Sequence, residues 1–161
     1  MDIEIYTPFK KLTFTEKDAL VSFLHKHLGE YGDKPEDIGK AIDFAMKERS
    51  SHGGFIVIGK EDGKIIGAVV MNKTGMEGYI PENILVYIAV HEEARGKGVG
   101  KKLMKAATER AEGAVALHVE PENPAVHLYK KMGFTNKYLE MRLAAGAKVA
   151  SGKKEADSSA Q

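Results

Sequence analysis

Apolar positions along the chain switch between two spacings, and each switch marks an element. Ile3 and Ile5 alternate with polar neighbours over Asp2–Tyr6 and predict an opening strand. The spacing then lengthens. Leu20, Val21, Phe23, Leu24, His27 and Leu28 fall on one helical face, with Thr15 and Asp18 as a capping pair at its start. Gly29 and Gly32 break this helix, and Pro35, Glu36 and Asp37 suit the first turn of a second one. Its inner face is Ile38, Ile42, Ala45 and Met46. Residues 55–58 and 64–71 read as two strands joined by the turn signal Glu61-Asp62-Gly63. Residues 72–83, with Gly75, Gly78 and Pro81, read as a loop.

The run 84–90 is apolar almost without interruption, which predicts a strand covered on both faces. Val99, Leu103, Ala106, Ala107 and Ala111 then recur at helical spacing, to about Glu112, with Gly113 as the residue after the helix end. Residues 114–119 form another apolar run. A strand, a helix and a strand make a β-α-β unit, so runs 84–90 and 114–119 are expected as parallel neighbours. Asn123 and Pro124 open a short helix, as cap and first helical residue, with Ala125, Leu128, Tyr129 and Met132 on one face. Gly133 ends it. Residues 135–143 alternate weakly and predict a last strand. From Ala144 the pattern fades, so residues 1–145 are expected as one domain and 146–161 as a flexible tail.

Composition narrows the class without choosing within it. A chain of 161 residues, 43% hydrophobic and 29% charged, suits one globular domain with a real core. A net charge of +1 gives no electrostatic case for nucleic acid or an acidic membrane. Cysteine is absent, which removes disulfides, thiolate metal sites and a cysteine-linked acyl-enzyme, and fits a cytoplasmic setting. Neither a membrane span nor a signal peptide is indicated. His25 and His27, two apart on a helix, point to different sides and do not make a metal pair.

The segment with the most chemistry is Arg95-Gly96-Lys97-Gly98-Val99-Gly100-Lys101, between an apolar strand and a helix. Glycine lets main chain approach a ligand closely. Free N–H groups at a helix start attract anions, and the helix dipole adds to this. Lys97, Lys101, Lys102 and Lys105 add positive charge, so the segment reads as an anion cradle, most plausibly for a phosphate. A Walker A loop would need glycine where Arg95 stands and Ser or Thr where Lys102 stands. The dinucleotide fingerprint would need its third glycine where Lys101 stands. Both readings fail on spacing. A lysine-rich solvated helix with a flexible start is the plain alternative.

What remains, Arg95-x-x-Gly98-x-Gly100 after an apolar strand, resembles the acetyl-CoA pyrophosphate loop of the GNAT N-acetyltransferase superfamily. Leu117-His118-Val119-Glu120-Pro121-Glu122-Asn123-Pro124-Ala125, followed by Leu128-Tyr129-Lys130-Lys131-Met132-Gly133-Phe134, resembles the second signature of that superfamily. The match covers residues 84–134. The resemblance implies an α/β (α+β) single domain: a mixed, mostly antiparallel sheet with a splayed parallel strand pair and helices on both faces. It implies acetyl-CoA as co-substrate, no metal, and a small-molecule or peptide amine as acceptor. It leaves room for a homodimer.

The same resemblance implies residue roles. Main-chain groups of Ile88 and Val90 would pair with the pantetheine arm as a sheet edge takes a new strand, with Ala89 between them in the cofactor-binding set, and an N–H in this strand would polarise the thioester carbonyl. N–H groups of Arg95, Gly96, Lys97, Gly98, Val99, Gly100 and Lys101 would hold the pyrophosphate. Asn123 would touch the pantetheine arm, and Tyr129 would stand by the sulfur as general acid. Each residue also has a plainer role: Asn123 as a helix cap, Tyr129 as a core tyrosine, Arg95 as a surface arginine. His118 and His127 read as structural or exposed. Members of the family often place an acid on the central strand, but Ile84-Leu85-Val86 stands there, which leaves Glu82 as the nearest carboxylate and the candidate base. Glu30, Asp33, Glu36 and Asp37 suit a cationic acceptor or simply the start of a helix. The expectation is direct acetyl transfer to a primary amine on a small molecule, an amino acid, or a protein N-terminus or lysine. The rival from another class is a non-catalytic acyl-CoA-binding module of the same fold.

Overall fold

In a computed structural model, residues 1–147 are described; the expected tail at 146–161 lies almost wholly outside them. Five strands form one sheet in sequence order: β1 (Asp2–Tyr6), β2 (Gly54–Glu61), β3 (Lys64–Lys73), β4 (Asn83–Val90) and β5 (Val115–Leu117). The first four pair antiparallel, and β4 and β5 pair parallel. Helices α1 (Phe14–Leu28) and α2 (Pro35–Met46) cover one face; α3 (Val99–Arg110) and α4 (Ala125–Lys131) cover the other.

Alternation along the middle strands explains the two layers. In β2 and β3, Ile56, Ile58, Ala68 and Val70 face the α1/α2 layer, while Phe55, Val57, Val69 and Met71 face the α3/α4 layer. Leu20, Phe23 and Leu24 of α1 and Ile38, Ile42, Ala45 and Met46 of α2 are buried against the first set, as their spacing predicts. Leu103, Met104 and Ala107 of α3 are buried against the second. The β2–β3 hairpin closes through Asp62-Gly63, the two residues between Glu61 and Lys64.

Several boundaries differ from the sequence expectation, each for a local reason. Helix α1 is capped by Thr13, not Thr15: the Thr13 hydroxyl accepts the Glu16 N–H at 3.1 Å, and the Glu16 carboxylate accepts the Thr13 N–H at 2.8 Å. Phe14 begins the helix although it is exposed, so no apolar pattern marks it. Helix α3 ends at Arg110, and Ala111 is extended (φ −65°, ψ 132°). Gly113 therefore does not cap that helix. It has φ +93°, and a Cβ there would lie 2.5 Å from the Glu82 carboxylate, so glycine is needed for the close approach of that side chain.

Strand β5 is three residues long, not six. The strand expected over 135–143 does not form: these residues have no regular structure, with a bend at Tyr138, and Leu139, Met141 and Leu143 are exposed. Their alternation finds no ladder partner among the described residues, and an unpaired strand is not a stable element. Strand β4 is not evenly covered on both faces either. Its register shifts at Val70/Met71, where Tyr87 opposes Val70 and Leu85 opposes Met71, so Val86 is an extra, bulged residue. The bulge turns Leu85 to the α3/α4 layer and Tyr87 and Ala89 to the α1/α2 layer.

Candidate active site

The β4–β5 ladder is short. It pairs Asn83 with Val115, Ile84 with Ala116 and Leu85 with Leu117, then stops, while β4 continues to Val90. Among the described residues, no strand lies beside the edge of β4 beyond Leu85. The register with β3 shows which backbone groups face that edge. His91 N–H donates to the Ile66 carbonyl at 2.8 Å, and antiparallel pairs alternate between bonded and non-bonded. Ala89, opposite Ala68, and Tyr87, opposite Val70, therefore bond to β3. Ile88 and Val90 direct their N–H and C=O groups to the vacated edge, as would be needed to accept an extended chain there.

The glycine segment follows at the end of this strand. His91 accepts the Glu93 N–H on Nδ1, and a 3₁₀ turn (Glu92–Ala94) leads to Arg95. Gly96 and Gly98 have φ of +75° and +81°, and a Cβ on either would meet open space. Gly98 begins α3 without a side-chain cap, so the first N–H groups of the helix, on Val99, Gly100 and Lys101, are left for another acceptor. Lys97 and Lys101 beside them are exposed. Open space above positive-φ glycines and uncapped donors fit a diphosphate.

Arg95 is placed differently from the cradle residues. Its Nε donates to the Val90 carbonyl at 3.1 Å, and its Nη2 donates to the His27 carbonyl at 2.9 Å. It clips the end of β4 to the end of α1. The His27 ring packs between Phe23 and His91, with centroids 4.6 and 4.4 Å away. Burial, and then the neighbouring His91, hold His27 below the usual histidine range. A cleft of about 310 Å³ lies here on the α1 side, lined by the chain from Lys26 to Tyr31 together with Glu92 and Arg95.

Tyr129 stands on the opposite face. Its ring is 8% exposed, packs edge-on against Phe134 at 5.9 Å, and shares a cluster with Leu85, Leu103 and the flanks of Ile88 and Val99. Burial raises its phenol above the ordinary value, so it stays protonated at neutral pH. Among the described residues its hydroxyl bonds to no protein atom, and the sole fully sealed, unpartnered side-chain atom is Asn72 Oδ1. Among the described residues the Tyr129 hydroxyl is therefore not a sealed, unpartnered atom. Near it, Gly100 packs closely: a Cβ there would lie 3.3 Å from Leu128 and 3.5 Å from Val90, which brings α3, α4 and the end of β4 together.

Asn123 caps α4. Its Oδ1 accepts the Ala125 N–H at 2.9 Å, and Pro124 already has helical angles, as the sequence predicts. Glu82 is not brought to this group. It precedes β4, six positions before Ile88, about 20 Å away at a strand's rise of about 3.3 Å per residue. Its Oε1 accepts the Ala114 N–H at 2.7 Å and its Oε2 accepts the Gly78 N–H at 3.1 Å. Those backbone donors, Ala114 first, hold its carboxyl below the usual range. Glu82 fastens the start of β5, with both carboxylate oxygens engaged by backbone N–H groups. Asn83, 2% exposed, assists by donating Nδ2 to the carbonyls of Glu112 at 2.8 Å and Ala114 at 3.2 Å. Sequence reasoning missed both clamps, because their partners lie about thirty residues away.

A gap in a parallel strand pair, an uncapped helix start at its mouth and a buried phenol on its flank are now in place. The family model for the acetyltransferase (GNAT) family matches residues 18–134. The chain belongs to the GNAT acetyltransferase family. Its fold is similar to that of an aminoglycoside N-acetyltransferase, AAC(6')-Iy, in complex with CoA, at 18% identity and TM-score 0.64, covering 89% of this chain and 94% of that one. It is also similar to a ribosomal-protein-alanine N-acetyltransferase from Brucella melitensis biovar Abortus 2308, at 15% identity and TM-score 0.60, covering 89% and 98%. A transcriptional regulator from Bacillus halodurans C-125 matches at 18% identity and TM-score 0.62, covering 89% and 99%. These identities show a shared fold. No curated protein matches the chain. Among the described residues of this GNAT domain, no helix is long and apolar enough to cross a membrane, and no group of three or more His, Asp or Glu could hold a metal ion.

Proposed function

We propose that this GNAT protein is an acetyl-CoA-dependent N-acetyltransferase acting on a primary amine by direct transfer. The observation that carries the proposal is the ending of the β4–β5 ladder at Leu85 and Leu117, which turns the polar groups of Ile88 and Val90 to a free edge. An extended pantetheine arm is the right shape and chemistry for that edge. Its pyrophosphate lies at the N–H groups from Gly96 to Lys101, where the helix dipole favours negative charge. The Val90 carbonyl already accepts from Arg95, so the arm relies on Ile88 and on the Val90 N–H.

The chemistry follows from what flanks the gap. A neutral amine attacks the thioester carbon and a C–N bond forms, with charge developing on oxygen. A strand N–H stabilises that oxygen. The C–S bond then breaks, and Tyr129 donates its proton to the departing thiolate. A phenol raised by burial is fully protonated and ready to donate at neutral pH. Holding both reactants together supplies much of the remaining acceleration.

The test is a panel of amines, amino acids and peptides assayed for CoA release from acetyl-CoA. Turnover with at least one primary amine is expected. Binding of acetyl-CoA without turnover on any acceptor would instead favour the acyl-CoA-binding module. Stabilisation by ATP–magnesium in place of acetyl-CoA would overturn both.

A further inference from the structure

The acceptor amine arrives protonated, and neither Glu82 nor any carboxylate on β4 can take its proton. The structure assigns that role elsewhere. We propose that Asp33, oriented by Tyr87, is the proton acceptor for the incoming amine, and that its carboxylate makes an alkylammonium the preferred acceptor; this rests on the transferase reading above.

Tyr87 lies just past Val86, the bulged residue, and two residues beyond Leu85, the last of β4 to pair with β5. The bulge turns its side chain to the α1/α2 layer, opposite Tyr129. It is 7% exposed, and its hydroxyl donates to Asp33 Oδ2 at 2.5 Å, from a residue 54 positions away in sequence. Burial, then this bond, raise the Tyr87 phenol, so Tyr87 remains the donor and Asp33 the acceptor. Asp33 does not cap α2: Lys34 occupies the cap position, without a side-chain bond. It is exposed, and among the described residues its other oxygen makes no hydrogen bond.

The face is the correct one. Phosphates at the start of α3 and a sulfur beside Tyr129 both lie toward the α3/α4 layer. The open side of the thioester then looks toward α1 and α2; the cleft lined by Lys26 to Tyr31 lies on this side, and Asp33 follows it two residues on in the chain without lining it. Tyr31 spans this side by donating its hydroxyl to the Glu122 carbonyl at 3.3 Å, which ties the loop carrying Asp33 to the segment after β5. Among the described residues, the other charged groups acting on the pair include Asp37 on α2 and Arg142, whose guanidinium is engaged by Glu140 at 2.7 Å and lies 3.4 Å from His118 Nδ1.

The proton balance is simple. The ammonium gives one proton to the Asp33 carboxylate, which passes it to water. The neutral amine attacks, the C–N bond forms and the C–S bond breaks. The thiolate takes its proton from Tyr129, and the second proton leaves the nitrogen and restores the Tyr129 phenol through water, which yields the amide. The sum is an amide, free CoA and one proton.

The test compares wild type with Asp33→Asn and Tyr87→Phe on the best primary amine of a panel holding an alkyl monoamine, a diamine, free lysine and a peptide with a free N-terminus. Acetyl-CoA binding, read by calorimetry, reports folding. Asp33→Asn is expected to lower kcat/KM at pH 7 by about 10²-fold or more, with acetyl-CoA affinity unchanged. Tyr87→Phe should lose about tenfold. Both deficits should shrink as pH rises toward the pKa of the amine, because solvent then supplies the neutral form. A deficit that stays constant with pH would make Asp33 merely structural and overturn the proposal. So would an Asp33→Asn variant as active as wild type. An inert wild type that binds acetyl-CoA would overturn the transferase reading itself, a different result from an active wild type with an active Asp33→Asn.

Discussion

Replacing Tyr129 with Phe removes one oxygen and separates the chemical role of this side chain from its packing role. The ring is 92% buried by its 8% exposure and packs edge-on against Phe134, and phenylalanine preserves both contacts. The hydroxyl bonds to no protein atom among the described residues, so the substitution removes no hydrogen bond there. Stability should therefore change by less than about 1 kcal/mol, a Tm shift of less than about 4 °C for a domain of this size. The kinetic cost is much larger. Losing a general acid costs on the order of 10²- to 10⁴-fold, or about 2.7 to 5.4 kcal/mol of barrier at about 1.36 per decade. The loss should fall on kcat, with acetyl-CoA affinity nearly intact. A thiol-reactive dye suits the assay because the protein contains no cysteine, so every thiol detected is released CoA. A kcat within about threefold of wild type would refute the assignment, and a collapse of Tm would show Tyr129 to be structural.

Four further outcomes are expected. Glu82→Gln should retain turnover, since the carboxylate serves the β5 start; a loss of kcat at unchanged stability would return it to the chemistry. Gly98→Ala should destabilise by roughly 1–2 kcal/mol, because φ +81° is unfavourable for an L-residue, and should weaken acetyl-CoA binding in calorimetry; unchanged binding would count against the cradle. Arg95→Ala should lower Tm more than Lys97→Ala does, since only Arg95 clips α1 to β4; equal shifts would contradict this. The phenols of Tyr6, Tyr87 and Tyr129 are all raised, so unfolded tyrosines lose protons first above about pH 10. Their contribution to stability is complete below that pH and is lost as pH rises further; a Tm that stayed constant from pH 9 to 11 would contradict the burial.

Where local pattern decided structure, the sequence was readable. The face of α2 appears as Ile38, Ile42, Ala45 and Met46, because burial of one helical stripe needs only spacing. Asn123 as cap and Pro124 at the first helical turn follow from local backbone chemistry. The glycine segment and Tyr129 were likewise legible, as a linear motif. The alternation over 135–143 misled, because a strand needs a ladder partner and alternation does not supply one. The bulge at Val86 left no trace in an apolar run, since either face of the sheet accepts valine. The pairs Asp33–Tyr87 and Glu82–Ala114 were invisible for a different reason: tertiary distance, not sequence spacing, joins them.

The position of bound CoA is the most direct test of the transferase reading. A crystal structure with CoA should show the pantetheine amides bonded to Ile88 and Val90, and the sulfur within hydrogen-bond reach of the Tyr129 hydroxyl. CoA bound away from the end of the β4–β5 ladder, or a sulfur out of reach of Tyr129, would contradict it.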